Sequence, residues 1–322
     1  MSINLIFNYL IVLFVLFAVM LVYFKIAGKY NIVDKPNERS SHKQLTIRGG
    51  GIIFYLSIVI YFFTQEFHYP WFFIGLSLIA IISFADDIKP QPSKLRIVVH
   101  FIAMLLMFYQ WSLFSLPWYY AVIALIICTG VLNAYNFMDG INGITGAYSL
   151  VIAIALWFIN LYITPFVDNN LLYYLLLSLF VFNFFNFREK AKCFAGDVGA
   201  VSIAFILIFL LGRLIIKTED FSYIILLVVY GTDSVLTIIH RLILKENIFD
   251  AHRKHAYQLM ANELKIPHVV VSSIYGLLQA VIIIGLLCFH EWRYLYLCLV
   301  VVFLSLAYIL FKKKYFYLHL IK

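Results

Sequence analysis

The chain has 322 residues, of which 64% are hydrophobic, 18% aromatic and only 12% charged, with a formal net charge of +8. That balance excludes an ordinary soluble domain, in which about a quarter of residues are charged. It also excludes a nucleic-acid-binding module, because no soluble basic domain and no aromatic platform stands outside the apolar runs.

About 20 apolar residues are needed to cross a hydrocarbon core about 30 Å thick. Eleven stretches approach that length, at 3–24, 49–64, 70–85, 97–116, 117–134, 144–162, 170–186, 198–216, 222–240, 269–289 and 293–311. Backbone polar groups find no partner in lipid, so the spans must be helices or a closed barrel, and the alternation of a barrel is absent. The sequence therefore predicts an all-α polytopic integral membrane protein. The first stretch lacks a basic leader and is followed by Lys25 and Lys29 rather than small residues, so it is expected to remain as the first helix.

Orientation follows from the basic residues. With the amino terminus outside, loops on one side and the carboxyl tail hold all of the 24 Lys and Arg residues except Arg213, Lys217 and Arg293. By the positive-inside rule that side, and the carboxyl terminus, are cytoplasmic. The same charge favours anionic lipid headgroups. Of the four cysteines, Cys128, Cys288 and Cys298 fall in spans and Cys193 in a cytoplasmic loop, with no metal spacing and no disulfide framework. No repeat or long linker divides the chain, so it reads as a single membrane domain over 1–322 with cytoplasmic loops at 25–48, 86–96, 135–143, 187–197 and 241–268.

The polar residues concentrate in those loops. The first, DKPNERSSHKQLTIRGGG, carries Arg39, His42 and Arg48 ahead of three glycines, a combination suited to a phosphorylated ligand at the inner face or to a generic positive-inside loop. Asp86 and Asp87 close the third span; adjacent carboxylates repel and call for a divalent cation or a basic partner, unless both are simply solvated at a helix end. The run NAYNFMDGINGITG sets Asn133, Asn136, Asp139 and Asn142 at three-residue steps, a polar stripe leaving the fifth span. It lines a wet cavity or hydrogen-bonds between helices. In FAGDVGA, Asp197 stands between Gly196 and Gly199, as a hard oxygen ligand for Mg²⁺ or as a helix cap. In IFDAHRKHAYQ, His252, Arg253 and His255 fit a diphosphate better than zinc, for which a third ligand is missing, or form a solvated basic loop. Asp233 is an intramembrane acid, either functional or satisfied by a partner such as Arg241 or by an inter-helix hydrogen bond.

Together these motifs resemble the polyprenyl-phosphate N-acetylhexosaminyl-1-phosphate transferases, in order and spacing, from DKPNERSSHKQLTIRGGG to AHRKHAYQ. The resemblance implies that Asp86 and Asp87 serve the lipid phosphate and the metal, and that Asn133, Asn136 and Asp139 line the same cleft. It implies Asp197 as the Mg²⁺ ligand, with Asp87 or Asp139 beside it and Mn²⁺ as a substitute ion. The nucleotide diphosphate would fall to His252, Arg253 and His255. Two departures stand out. Asn142 replaces an acid found in many members, and AHRKHAYQ departs from the triple histidine of the peptidoglycan enzyme, looking more like members that start O-antigen or related surface glycans.

The expected reaction moves an N-acetylhexosamine 1-phosphate, or its 6-deoxy counterpart, from a UDP-sugar to undecaprenyl (polyprenyl) phosphate at the cytoplasmic face of a bacterial inner membrane, releasing UMP. A homodimer is implied by the resemblance. The competing classes are an ion-coupled transporter, which eleven spans and Asp233 would also suit, and the translocase of peptidoglycan lipid synthesis. Against the transporter, the polar residues gather in inner loops and no pair of broken helices repeats across two halves. A phosphatidyl-type transferase shares only Asp139-Gly140.

Overall fold

The computed structural model describes residues 3–34, 45–247, 253–315 and 317; Arg39, His42 and His252 lie outside the described residues. Among those described, helices α1 (Ile3–Lys29), α2 (Ile52–Thr64), α3 (Pro70–Ile88), α4 (Ser93–Gln110), α5 (Trp118–Met138), α6 (Ile144–Tyr162), α7 (Asn169–Asn186), α8 (Gly196–Thr218), α9 (Val228–Ile243), α10 (Ala256–Gln258), α11 (His268–Cys288) and α12 (Arg293–Tyr315) follow in order. A 3₁₀ segment, Phe221–Leu227, leads into α9, and a π-helical turn, Leu259–Glu263, extends α10. The described residues are thus mostly helical. The exception is an antiparallel pair of two-residue strands, β1 (Val33–Asp34) and β2 (Thr46–Ile47).

Nine helices among the described residues are long and apolar enough to cross a membrane, two fewer than the eleven expected. Both missing stretches are helical, and each fails for a physical reason. Helix α2 has 13 residues, about 20 Å at ~1.5 Å per residue, short of the ~30 Å hydrocarbon core. Helix α7 carries Asn169, Asn170, Asn183 and Asn186, which dilute its apolar character. Asn170 nonetheless works as a lock, donating to Gln65 Oε1 at 2.8 Å and accepting from the Tyr9 hydroxyl at 2.5 Å.

Helix α8 is the axis of the bundle. From Val198 to Leu211 every residue is buried, and the helix is packed against α2, α3, α5 and α6, as expected of a stretch without a solvent face. The rings of Phe72 and Phe209 stack at 4.0 Å where α3 crosses it. Local signals set the boundaries. Pro90 and Pro92 follow α3, and a proline cannot continue a helix. Pro70 occupies the first turn of α3, where its missing N–H costs nothing. Helix α12, by contrast, is peripheral: its buried side chains are Val300, Leu304, Tyr308 and Lys312.

Candidate active site

One end of the bundle collects the polar loops, and hydrogen bonds between them show how. The stretch after β2 runs beside the stretch before α8: Ile47 bridges Cys193 in parallel, Phe194 N–H donates to Ile47 O at 2.8 Å, Gly50 N–H to Phe194 O at 2.8 Å and Gly51 N–H to Ala195 O at 3.0 Å. This zipper needs a side-chain-free contact. A Cβ on Gly51 would stand 2.3 Å from the Gly199 Cα. Gly196 sits at φ +71°, the left-handed region that glycine alone enters without strain.

The zipper delivers the amino end of α8 to Asp87. The backbone N–H groups of Asp197 and Val198 donate to its two carboxylate oxygens at 2.9 and 3.0 Å. Arg48 Nε lies 2.7 Å from Oδ1, and the Asp87 side chain is wholly buried. Asp87 therefore neutralises two of the free N–H groups with which every helix begins. Arg48 is itself fixed, its carbonyl accepting from the Tyr23 hydroxyl at 2.6 Å. Burial opposes its charge, but the Asp87 and Asp197 carboxylates outweigh that and raise its pKa.

Asp197 is the meeting point of the cluster. Its Oδ1 accepts from Arg48 Nη2 and from Asn136 Nδ2, both at 3.3 Å, and its Oδ2 lies 3.5 Å from Arg96 Nη1. Arg96 Nη1 also bonds Asp86 Oδ2 at 2.8 Å, while the Gln91 N–H donates to Asp86 Oδ1 at 2.6 Å. The acids are recessed and the guanidiniums stand at the rim: side-chain exposure is 11% for Asp86 and 22% for Asp197, against 33% for Arg48 and 40% for Arg96. The arrangement offers planar cationic donors outermost, with carboxylate oxygens behind them, which suits an anionic ligand.

The NAYNFMDGINGITG run is divided by the end of α5 at Met138. On an α-helix three-residue steps drift by about 60° each, so the expected stripe is not one face. Asn136 reaches Asp197, whereas Asn133 is exposed and makes no hydrogen bond among the described residues. Asp139 caps α5 beside Thr145, and burial pushes its carboxyl up to about 7. Asn142 is a strut: its Nδ2 donates to the carbonyls of Arg188 and Glu189 at 3.0 and 2.8 Å, and its carbonyl accepts from Ser272 Oγ at 2.8 Å.

The histidine turn is organised from below by Asp233. Its Oδ1 accepts from Ala256 N–H at 3.0 Å and lies 3.3 Å from His255 Nδ1; its Oδ2 accepts from the Tyr275 hydroxyl at 2.6 Å. Of the two partners the sequence offered Asp233, the inter-helix hydrogen bond from Tyr275 forms, while Arg241 holds Glu246 at 3.2 Å and the Asn247 carbonyl. At about 3.6 residues per turn, a separation of eight residues carries Arg241 just over two turns, about 12 Å, beyond Asp233 and out of reach. His255 is consequently drawn inward, 2% exposed, and Arg253 is half-buried at the head of the turn. Tyr257 links the turn to the rest of the site, donating to Phe137 O at 2.8 Å.

Several of these residues were not singled out as site residues in the sequence. Arg96 reads there as one more base in a loop, although its distance from Asp86, ten residues across a Pro-rich turn, was a signal. Tyr257 and Tyr275 carry no signal in a chain with 23 tyrosines.

The chain is also similar in sequence to known proteins. The model of glycosyl transferase family 4 matches residues 69–215. Over that stretch the chain is similar to that family. The stretch covers Asp86, Asp87, Arg96, Asn136, Asp139 and Asp197. Relatives include the undecaprenyl-phosphate α-N-acetylglucosaminyl 1-phosphate transferase of Escherichia coli (strain K12), 28% identical over 223 residues, 61% of this chain and 59% of that protein. A probable undecaprenyl-phosphate N-acetylglucosaminyl 1-phosphate transferase of Bacillus subtilis (strain 168) is 24% identical over 258 residues, 74% of this chain and 72% of that protein. The chain thus spans about three-fifths of the length of the first of these. The resemblance read from the motifs holds.

Proposed function

We propose that this membrane protein transfers an N-acetylhexosamine 1-phosphate from a UDP-sugar to undecaprenyl (polyprenyl) phosphate at the cytoplasmic face of a bacterial inner membrane. The observation that carries the reading is the convergence of Asp86, Asp87, Asp197, Asn136, Arg48 and Arg96 at one end of a bundle of apolar helices. The names of the relatives support the same chemistry. In the reaction an oxygen of the lipid phosphate attacks the sugar-linked phosphorus, the bond to the UMP oxygen breaks, and UMP leaves. The product, a polyprenyl diphosphate sugar, starts a surface glycan, and the departure of the AHRKHAYQ turn from the triple-histidine pattern favours an O-antigen type of pathway with an N-acetylated hexosamine or its 6-deoxy form.

Two phosphate-bearing reactants repel each other, so alignment and neutralisation carry most of the catalysis. Arg48 and Arg96, half-buried at the rim, receive the anionic oxygens. Asp86, held from both sides by Arg96 and Gln91, orients the acceptor phosphate. Asp139, with its carboxyl poised near neutrality, is suited to hold a proton at the cleft. Arg253 faces the nucleotide side.

The donor set also fits Mg²⁺. Among the described residues no group of three His, Cys, Asp or Glu side chains is arranged to hold an ion alone. Asp86 and Asp197 share Arg96 and offer only oxygens, the one or two carboxylates that Mg²⁺ takes when phosphates complete its shell. Asp87 has both oxygens committed to α8 and Arg48 and acts by holding Asp197 in place. When bound, the ion would supply charge neutralisation at the diphosphate.

The test is purified protein with Mg²⁺, polyprenyl phosphate and UDP-N-acetylhexosamines labelled on both sugar and sugar-linked phosphate. Both labels in the lipid fraction, with release of UMP, are expected; sugar transfer without its phosphate would overturn the reading. In the same assay Asp197→Asn should lose at least about 10²-fold in turnover while the thermal midpoint holds, and retained turnover would remove Asp197 from the metal.

A further inference from the structure

Helix α12 buries few side chains, and they follow a strict pattern: Val300, Leu304, Tyr308 and Lys312, each four residues after the last. Four-residue spacing keeps them on one face. The outer two are apolar, as a helix against neighbours in lipid requires, but the inner two are a tyrosine and a lysine that is only 3% exposed. A buried lysine is costly unless a specific acceptor holds it, and an apolar side chain would have packed at lower cost.

The acceptors are in the histidine turn and its support. Lys312 Nζ donates to the Lys254 carbonyl, one residue before His255. The Tyr308 hydroxyl lies 2.7 Å from Thr237 Oγ1, which in turn lies 3.2 Å from Asp233 Oδ1. Lys254 is also paired with Glu246, and Glu246 with Arg241. Helix α12 is fixed at its other end as well, where Arg293 meets Asp220 at 2.8 Å. The peripheral helix is therefore pinned top and bottom, and its inner pin is the turn that carries Arg253 and His255.

We propose that α12 is a brace that sets the height of the 253–258 turn over the cleft, with Lys312 and Tyr308 as positioning residues for the nucleotide-sugar donor. The proposal rests on the function given above for its choice of ligand. Its structural part stands without it.

The experiment uses the full chain and measures two things, backbone amide exchange over 253–264 and steady-state kinetics for each substrate. Lys312→Met should speed exchange in that segment about tenfold, the equivalent of losing one hydrogen bond to a charged group. It should raise KM for the UDP-sugar by about the same factor, with KM for polyprenyl phosphate and kcat within about twofold. Lys312→Arg, which keeps a charged donor, should recover most of the loss. Tyr308→Phe, which removes one hydroxyl and keeps the packing, should act in the same direction and cannot be dismissed as misfolding. Unchanged exchange in both Lys312→Met and Tyr308→Phe overturns the brace; so does a rise in both KM values together with a lowered thermal midpoint, the mark of general damage. If wild-type protein transfers no phosphosugar, the functional reading fails, and the exchange data alone decide the brace.

Discussion

The zipper between β2 and α8 can be broken by a single methyl group. Gly51 has an ordinary helical φ of −71°, so alanine is conformationally acceptable there and the change tests contact alone. The new Cβ would lie 2.3 Å from the Gly199 Cα and 2.9 Å from the Ala195 carbonyl. Relieving the first contact to an ordinary separation of about 3.4 Å requires α2 and α8 to part by about 1 Å. Overpacking of this kind costs about 1–3 kcal/mol. The same displacement separates Arg48 from Asp197 and lengthens the bonds from Asp87 to the α8 backbone, now 2.9 and 3.0 Å. A misplacement of about 1 Å at reacting groups costs about 10²-fold in rate, or about 2.7 kcal/mol. Gly51→Ala should therefore lose about two orders of magnitude of phosphosugar transfer, with a modest fall in thermal midpoint. Gly130 in α5, where an added Cβ meets nothing within 4 Å, is the control, and alanine there should leave activity intact. Turnover of Gly51→Ala within about twofold of wild type would show that the zipper does not place Asp197.

Two further expectations follow from the same residues. The fold raises the Asp139 carboxyl from 3.8 to about 7, so it favours the neutral form; that stability is present below about pH 4 and is lost as pH rises towards 7. Asp139→Asn cannot ionise, so its stability relative to wild type should improve across that window and level off above it, as chemical denaturation at stepped pH will show. Cys193 is wholly buried and its thiol is pushed up by burial, so maleimide should not label it in native protein. Because its Sγ would be 2.5 Å from a Cβ on Gly50, next to the zipper, labelling should appear in Gly51→Ala; equal protection there would mean the strands have not parted.

The sequence made some of this legible and hid the rest for definable reasons. Helix positions were readable because apolar length is set by the bilayer, and all the expected stretches are helical, though α2 and α7 fall short of spanning. Asp86, Asp87, Asn136 and Asp197 could be found because polar residues at span ends are expensive, and the structure brings them together. Pairing was not readable. Asp233 chooses Tyr275 and His255 over Arg241, since the nearer residue in sequence lies two turns away along the same helix. Asn133 shared the spacing of Asn136 but not its direction. The division of Asp86 and Asp87 into one recessed acid behind the Arg96 rim and one fully buried cap follows from the 100° turn between neighbours on a helix, which a dipeptide in a sequence does not reveal.

The two polar clusters rest on unequal supports. Asp197 begins the most enclosed of the long apolar helices among the described residues, so its cluster is held by the bulk of the bundle. The histidine turn hangs on α9, α11 and the thinly packed α12, all beyond residue 215, where the family match ends. Under the proposed function, substitutions in this outer half would alter the shape offered to a sugar donor while leaving the Asp197 cluster undisturbed, so donor choice and phosphoryl transfer could be changed separately.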